Sequence, residues 1–127
     1  MRLTLVLADD NHAFVQKLLS MFGAEFEIVA TANDGSSALD CVWRHRPDIL
    51  VLDLSMPVLD GIRVAKELGR HPPCPAIVIC SVEREPAVVE AALGAGVLGY
   101  VFKTNVASDL IPAIRAAARG QSFVSQR

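Results

Sequence analysis

Three short runs of consecutive apolar residues, many of them β-branched, punctuate the chain: residues 3–8 (LTLVLA), 49–52 (ILVL) and 76–80 (AIVIC). Each is too short for a helix and has no wet face, so each predicts a strand buried on both sides, as a parallel sheet demands. Residues 27–31 (EIVAT) and 99–102 (GYVF) are weaker runs of the same kind. Between the runs, apolar positions recur at helical spacing. Residues 13–22 place Phe14, Leu18, Leu19 and Phe22 on one face, and residues 37–44 place Ala38, Cys41 and Val42 on another; 62–68, 87–93 and 110–118 continue the series. Asp109 followed by Pro112 predicts a last helix with Asp109 as N-cap, because a proline in the first turn gives up only an N–H that has no partner there. Gly120 predicts its end. Strand and helix alternate five times, and parallel strands joined by such connections require right-handed crossovers. The expected fold is therefore doubly wound α/β, flavodoxin-like, with a parallel five-stranded sheet in the order 2-1-3-4-5. Residues 121–127 carry no periodic pattern.

Length and composition narrow this picture. A chain of 127 residues, 52% hydrophobic and 20% charged, supports one compact core and no second one. A net charge of -2 without runs of like charge leaves no electrostatic footprint for nucleic acid or an anionic membrane. Cys41, Cys74 and Cys80 have no metal-ligand or redox spacing, and read as reduced thiols serving as small core residues of a cytoplasmic protein. The apolar start runs straight into Asp9 and Asp10, which excludes a signal peptide or a membrane span there.

Ligands of open parallel sheets gather beyond the carboxyl ends of the strands, where strand order reverses; here that point lies between the first and third strands. Asp9 and Asp10 follow the first strand and Asp53 follows the third. Three carboxylates at one crevice repel one another unless a cation joins them or their pKa values rise. Only oxygen donors are at hand, which favours Mg²⁺ over zinc or copper. Asp10 and Asp53 are the candidate direct ligands, with Asp9 acting through water. Taken singly, Asp9 or Asp10 also reads as a helix cap and Asp53 as a surface strand end. Ser81 ends the fourth strand and Lys103 the fifth, so a hydroxyl and an ammonium border the same crevice. Alone, Ser81 also reads as an N-cap and Lys103 as a solvated residue. A carboxylate can attack a phosphoryl donor to give an acyl phosphate, a reaction governed by positioning and charge neutralisation. Asp53 is then the nucleophile, Mg²⁺ and Lys103 the charge stabilisers and Ser81 the hydrogen-bond donor. His12, His45 and His71 read as exposed or loop residues, and Cys80 as strand core.

The strings LVLADDNHAF, ILVLDLSMPVLDG, VICS and AGVLGYVFK occur in order along almost the whole chain, and with them the sequence resembles the response-regulator receiver domain. The stretch IPAIRAAARGQSFVSQR is similar to the last receiver helix and linker start of the NarL/FixJ (LuxR-type) two-component transcription regulators. The resemblance implies that Asp9 and Asp10 form the acidic metal pair, with the backbone carbonyl of Ser55 also reaching Mg²⁺. It further implies Asp53 as phosphoacceptor, Ser81 as switch hydroxyl, Tyr100 as switch aromatic and Lys103 as the family's lysine. Thr104 stands where many receivers have proline after that lysine. Residues 1–120 are expected to be the receiver and 121–127 the start of a linker toward a C-terminal helix-turn-helix domain not present in this sequence; DNA contact would belong to that domain.

The expected function is phosphoryl transfer from a sensor histidine kinase, or a small phosphodonor, onto Asp53, with Tyr100 turning inward as Ser81 moves toward the phosphate. A Tyr100 ring half-buried on its strand, hydroxyl in water, is the competing reading. The protein would not be a conventional enzyme, catalysing only its own phosphorylation and dephosphorylation. The apolar, small-residue segment AVVEAALGAG suits either a second copy of the chain or close packing on the sheet. Two alternatives share the scaffold: an aspartyl-phosphate phosphohydrolase, which generally needs a second Asp where Ser55 stands, and a phosphorylation-independent interaction module, against which the full set of polar residues argues.

Overall fold

The computed structural model describes residues 2–57 and 59–126; Met1, Val58 of the MPVLDG turn and Arg127 of the tail lie outside the described residues. Strands β1 (Thr4–Ala8), β2 (Glu27–Ala32), β3 (Ile49–Leu52), β4 (Ala76–Ser81) and β5 (Gly99–Phe102) alternate with helices α1 (His12–Phe22), α2 (Gly35–His45), α3 (Gly61–Gly69), α4 (Pro86–Gly94) and α5 (Val106–Ala118). All strands pair in parallel in the expected order, and a sixth, β6 (Phe123–Val124), extends the sheet to 2-1-3-4-5-6.

Strand periodicity divides the core into two layers. Val6, Ala8, Leu50, Leu52, Ile77, Ile79, Tyr100 and Phe102 point to one face and pack with α2, α3 and α4. Leu5, Leu7, Ile49, Val51, Val78, Cys80 and Val101 point to the other and pack with α1 and α5. Both faces are covered, which explains why the central strands read as unbroken apolar runs. Edge strand β2 is only half-buried and carries a bulge opposite Leu5 and Val6, matching its weaker pattern.

Three helices start on side-chain caps. Asn11 Oδ1 accepts from Phe14 N at 3.0 Å, Asp34 Oδ1 from Ser37 N at 2.7 Å and Asp60 Oδ1 from Arg63 N at 3.0 Å. Neither Asp9 nor Asp10 caps α1, and the Asx caps leave both free of that task.

The last helix departs from expectation. It begins at Val106 after a single 3₁₀ turn (Lys103–Asn105), with Asn105 at its N-cap and Pro112 inside it. The missing Pro112 N–H withdraws one bond from the Ser108 carbonyl, yet burial of Val106 and Leu110 under the sheet extends the helix upstream of the proline. Asp109, freed from capping, accepts from Ser125 Oγ at 2.7 Å. Gly120, at φ +73°, adopts the left-handed conformation that ends the helix as expected.

The tail also departs from its patternless reading. Phe123 N donates to Leu98 O and Ser125 N to Tyr100 O, so the open edge of β5 supplies the partners that make a strand of it. Ser125 Oγ accepts from Phe102 N at 3.2 Å, and the residue is 5% exposed. Ser125→Ala would leave the Phe102 N–H and the Asp109 carboxylate short of a partner. We expect a loss of about 1–3 kcal/mol, read as a lower urea midpoint at constant slope.

Of the cysteines, only Cys80 is a buried core residue; Cys41 is half-buried against the core and Cys74 is exposed, so the small-core reading is corrected for Cys74. All three are free. Among the described residues no helix is long and apolar enough to cross a membrane.

Candidate functional site: an acidic hollow with a lysine across it

Backbone pairing brings the acidic residues together before any side chain acts. Ala8 aligns with Leu52 in the β1–β3 ladder, and Asp53 N donates to Ala8 O at 2.8 Å, so the chain leaves both strands side by side. Asp9 N is tied to Ala32 O at 3.0 Å on the other flank. Asp9, Asp10 and Asp53 each offer a carboxylate oxygen, and these lie within 4.8 Å of one another. Asp9 and Asp53 are buried and Asp10 is exposed, which leaves the hollow one open, acidic side. Gly61, first residue of α3, packs against the backbone behind Asp53: a Cβ there would sit 2.6 Å from Asp53 O, so only glycine lets the helix approach so closely.

Lys103, at the end of β5, reaches across this hollow. Its Nζ lies 2.8 Å from Asp9 Oδ2 and 3.7 Å from Asp53 Oδ1. Burial alone would lower the lysine's pKa; the hydrogen bond to Asp9 and the charges of Asp53 and Asp9 outweigh it and raise it. The remaining Asp9 oxygen, Oδ1, accepts from Asn11 N at 2.8 Å. The Asp53 carboxyl is pushed up to about 6, first by burial and then by the neighbouring Asp9 charge, with Asp10 adding to the rise; Lys103 and the Ser55 N–H hydrogen-bonded to it pull the other way. One ammonium does not neutralise three carboxylates. The set is all oxygen and carries surplus negative charge, which fits a hard divalent cation.

Ser81 closes β4 and is 1% exposed. Its Oγ accepts from Glu83 N at 3.0 Å, a local turn rather than a helix cap, since α4 starts at Pro86 with Glu85 as its N-cap and no side-chain cap bond. Tyr100 is fully buried and its hydroxyl donates to Glu83 O at 2.8 Å, so the half-buried, water-facing ring is not what this structure contains. Burial raises the phenol's pKa, Glu83 and Asp53 raise it further, and a hydrogen bond with Ser81 opposes them. Ser81, Glu83 and Tyr100 therefore form one connected group between the acidic hollow and β5. The peptide after Lys103 is trans; among the described residues the one cis peptide is Pro72–Pro73.

His12 lines a groove beside Asp9 and Asp10 with Thr31, Asn33 and Ser37, while His45 is exposed and His71 pairs with Glu67. Burial pushes the Cys80 thiol up to about 12, in keeping with a core role. The sequence reading missed three contributors: Asn11, which holds Asp9 and α1 together; Phe14, whose ring faces Lys103; and the Glu83 carbonyl, which receives Tyr100. Only Asn11 had a visible signal, an Asx residue directly before a helical pattern.

Residues 5–115 match the family model of the response regulator receiver domain. The chain is 31% identical over 127 residues to the probable transcriptional regulatory protein NarL of Mycobacterium tuberculosis, covering 98% of this chain and 58% of that protein. It is 35% identical over 127 residues to the oxygen regulatory protein NreC of Staphylococcus epidermidis, covering 97% of this chain and 58% of the relative. The chain thus spans a little over half the length of these relatives. The solved signal receiver domain of the putative response regulator NarL from Mycobacterium tuberculosis superposes with a TM-score of 0.89 at 28% identity, covering 94% of this chain and 98% of that one. Fold, strand-end chemistry and these likenesses agree: the chain belongs to the response regulator receiver domain family.

Proposed function

We propose that Asp53 accepts a phosphoryl group from a sensor histidine kinase or a small phosphodonor, in a reaction assisted by Mg²⁺, and that the modification resets a surface controlling an output, transcription in the longer regulators. The carrying observation is the Asp53 carboxylate itself: buried, flanked by two further carboxylates and reached by the Lys103 ammonium. Nucleophile and counter-charges are assembled before the donor arrives.

Asp10 and Asp53 would hold Mg²⁺ directly, with the Ser55 carbonyl beside them. Asp9 would act through water, which suits a carboxylate whose oxygens already serve Asn11 N and Lys103. The bound ion supplies positive charge that offsets the acidic cluster and the phosphoryl oxygens. An Asp53 oxygen attacks phosphorus, the bond to the donor's imidazole nitrogen or carboxylate oxygen breaks, and the leaving group keeps that electron pair. Water reverses the modification. Lys103 shifts from Asp9 toward a phosphoryl oxygen, and the Ser81 hydroxyl turns from Tyr100 to another.

Losing its Ser81 partner, Tyr100 carries the change to β5 and the faces of α4 and α5, where a second copy of the chain is a candidate partner. Beyond this self-catalysed phosphorylation and dephosphorylation the domain is a signalling element, not an enzyme. Residues 1–120 carry the receiver's site, and 121–127, which add β6 to its sheet, lead toward a DNA-binding domain; a cytoplasmic location suits a kinase-fed switch.

The test is incubation with Mg²⁺ and acetyl phosphate followed by intact mass measurement. One phosphoryl adduct is expected on the wild type, none after chelation of the metal and none on Asp53→Asn. An adduct of equal yield on the variant, or none on the wild type, overturns the proposal.

A further inference from the structure

Lys103 has a third neighbour that the acidic chemistry does not explain. Its Nζ sits 4.3 Å from the centroid of the Phe14 ring, in addition to its contacts with Asp9 and Asp53. Phe14 belongs to the first turn of α1, where it is only partly buried and packs on the edge of the α1–α5 core layer. Its position is tied to the site through one short chain of bonds: Asp9 Oδ1 accepts from Asn11 N, and Asn11 Oδ1 accepts from Phe14 N. The turn that aims Asp9 at the lysine therefore also aims the ring at it.

We infer that Phe14 is a positioning residue for the phosphoryl transfer: its ring face holds the Lys103 ammonium in the hollow through a cation–π contact. This rests on the reading of Asp53 as the acceptor given above. A lysine carries four rotatable bonds and a strongly hydrated head, so ion pairs alone leave it mobile. The ring takes the place of water beside the head, and the lysine side chain is 16% exposed. A π face attracts the cation without a directed acceptor, so the ammonium can slide over it from Asp9 toward a phosphoryl oxygen. A carboxylate or carbonyl in the same place would hold the lysine back.

The test compares wild type, Phe14→Leu and Phe14→Trp. With Mg²⁺ and acetyl phosphate, Phe14→Leu is expected to slow adduct formation about five- to tenfold, a loss typical of one cation–π contact, and Phe14→Trp to restore at least the wild-type rate. Thermal melts check that Leu keeps the fold. Proton spectra supply a readout independent of phosphorylation: the ring current should shift the Lys103 ε-methylene protons upfield in wild type, and Phe14→Leu should abolish the shift. Equal rates in wild type and Leu overturn the inference, and so does a Trp variant as slow as Leu, which would make the role one of packing alone. If the wild type takes up no phosphate, the functional reading falls; the Lys103 proton shift alone then decides whether the ring holds the ammonium, and its absence overturns that too.

Discussion

Asp53→Asn is expected to be more stable than the wild type at pH 7.5 in the absence of divalent cations, although it removes the proposed phosphoacceptor. The Asp53 carboxyl is raised from 3.8 to about 6, chiefly by burial and by the charge of Asp9. Between those two values the folded chain keeps a proton that the unfolded chain has released. Stability therefore falls as pH rises through that window and is constant above it, a penalty on the order of 2–3 kcal/mol. Asparagine carries no such charge. Groups remote from the hollow titrate alike in both proteins and cancel in the difference, so the gap between the two melting temperatures reports Asp53 together with the charges coupled to it, Asp9, Asp10 and Lys103. It should be near zero at pH 4 and grow to on the order of 5–10 °C by pH 7.5. Millimolar Mg²⁺ should then raise the wild type's melting temperature much more than the variant's, because an ion that binds only the folded acidic hollow stabilises it by mass action. A variant less stable than wild type across this range would show that the Lys103 and Ser55 contacts to Asp53 outweigh burial and repulsion.

Lys103→Met should separate two properties that a purely structural role would move together. Methionine keeps an unbranched side chain and removes the charge. The rate of phosphate uptake is expected to fall by about 10²-fold or more, as when a preorganised charge stabiliser is lost. Affinity for Mg²⁺ is expected to rise, by about tenfold, because the ammonium and the metal compete for the same carboxylates and cations this close repel by several kcal/mol even at moderate effective dielectric. Calorimetric titration with Mg²⁺ measures one quantity and time-resolved intact mass the other. The work belongs at pH 8, since losing Lys103 pushes the Asp53 carboxyl up further. Unchanged affinity together with an unchanged rate would place the ammonium outside the acidic hollow in solution.

Both predictions draw on features with different origins. The acidic residues and Lys103 were legible because each follows directly on an apolar strand run, and in a parallel sheet the strand ends share one edge. What no run of residues reveals is how far each carboxyl is desolvated. Asp53 and Asp10 look alike in the chain, yet one is buried and the other exposed. Tyr100 read equally well as a water-facing aromatic, and only the Glu83 carbonyl, brought over by the β4–α4 turn, marks the buried place for its hydroxyl. Asp109 offers the opposite lesson: a good N-cap by local chemistry lost that position because Val106 and Leu110 gain more from burial.

By itself the sequence determined the alternation of strands and helices, the order of the first five strands, the two-layered core and the residues standing at the mouth of the sheet. These follow from which side chains avoid water and at what spacing, a property carried by neighbours in the chain. Tertiary structure alone decided that Phe123 and Val124 form a strand, that the last helix starts before its proline, that burial and Asp9 raise the Asp53 carboxyl above its ordinary range and that Phe14 lies against Lys103. Each of those depends on partners distant in the chain, a free strand edge, a buried face, a second carboxylate or a ring, whose effect exists only once folding has removed the water between them.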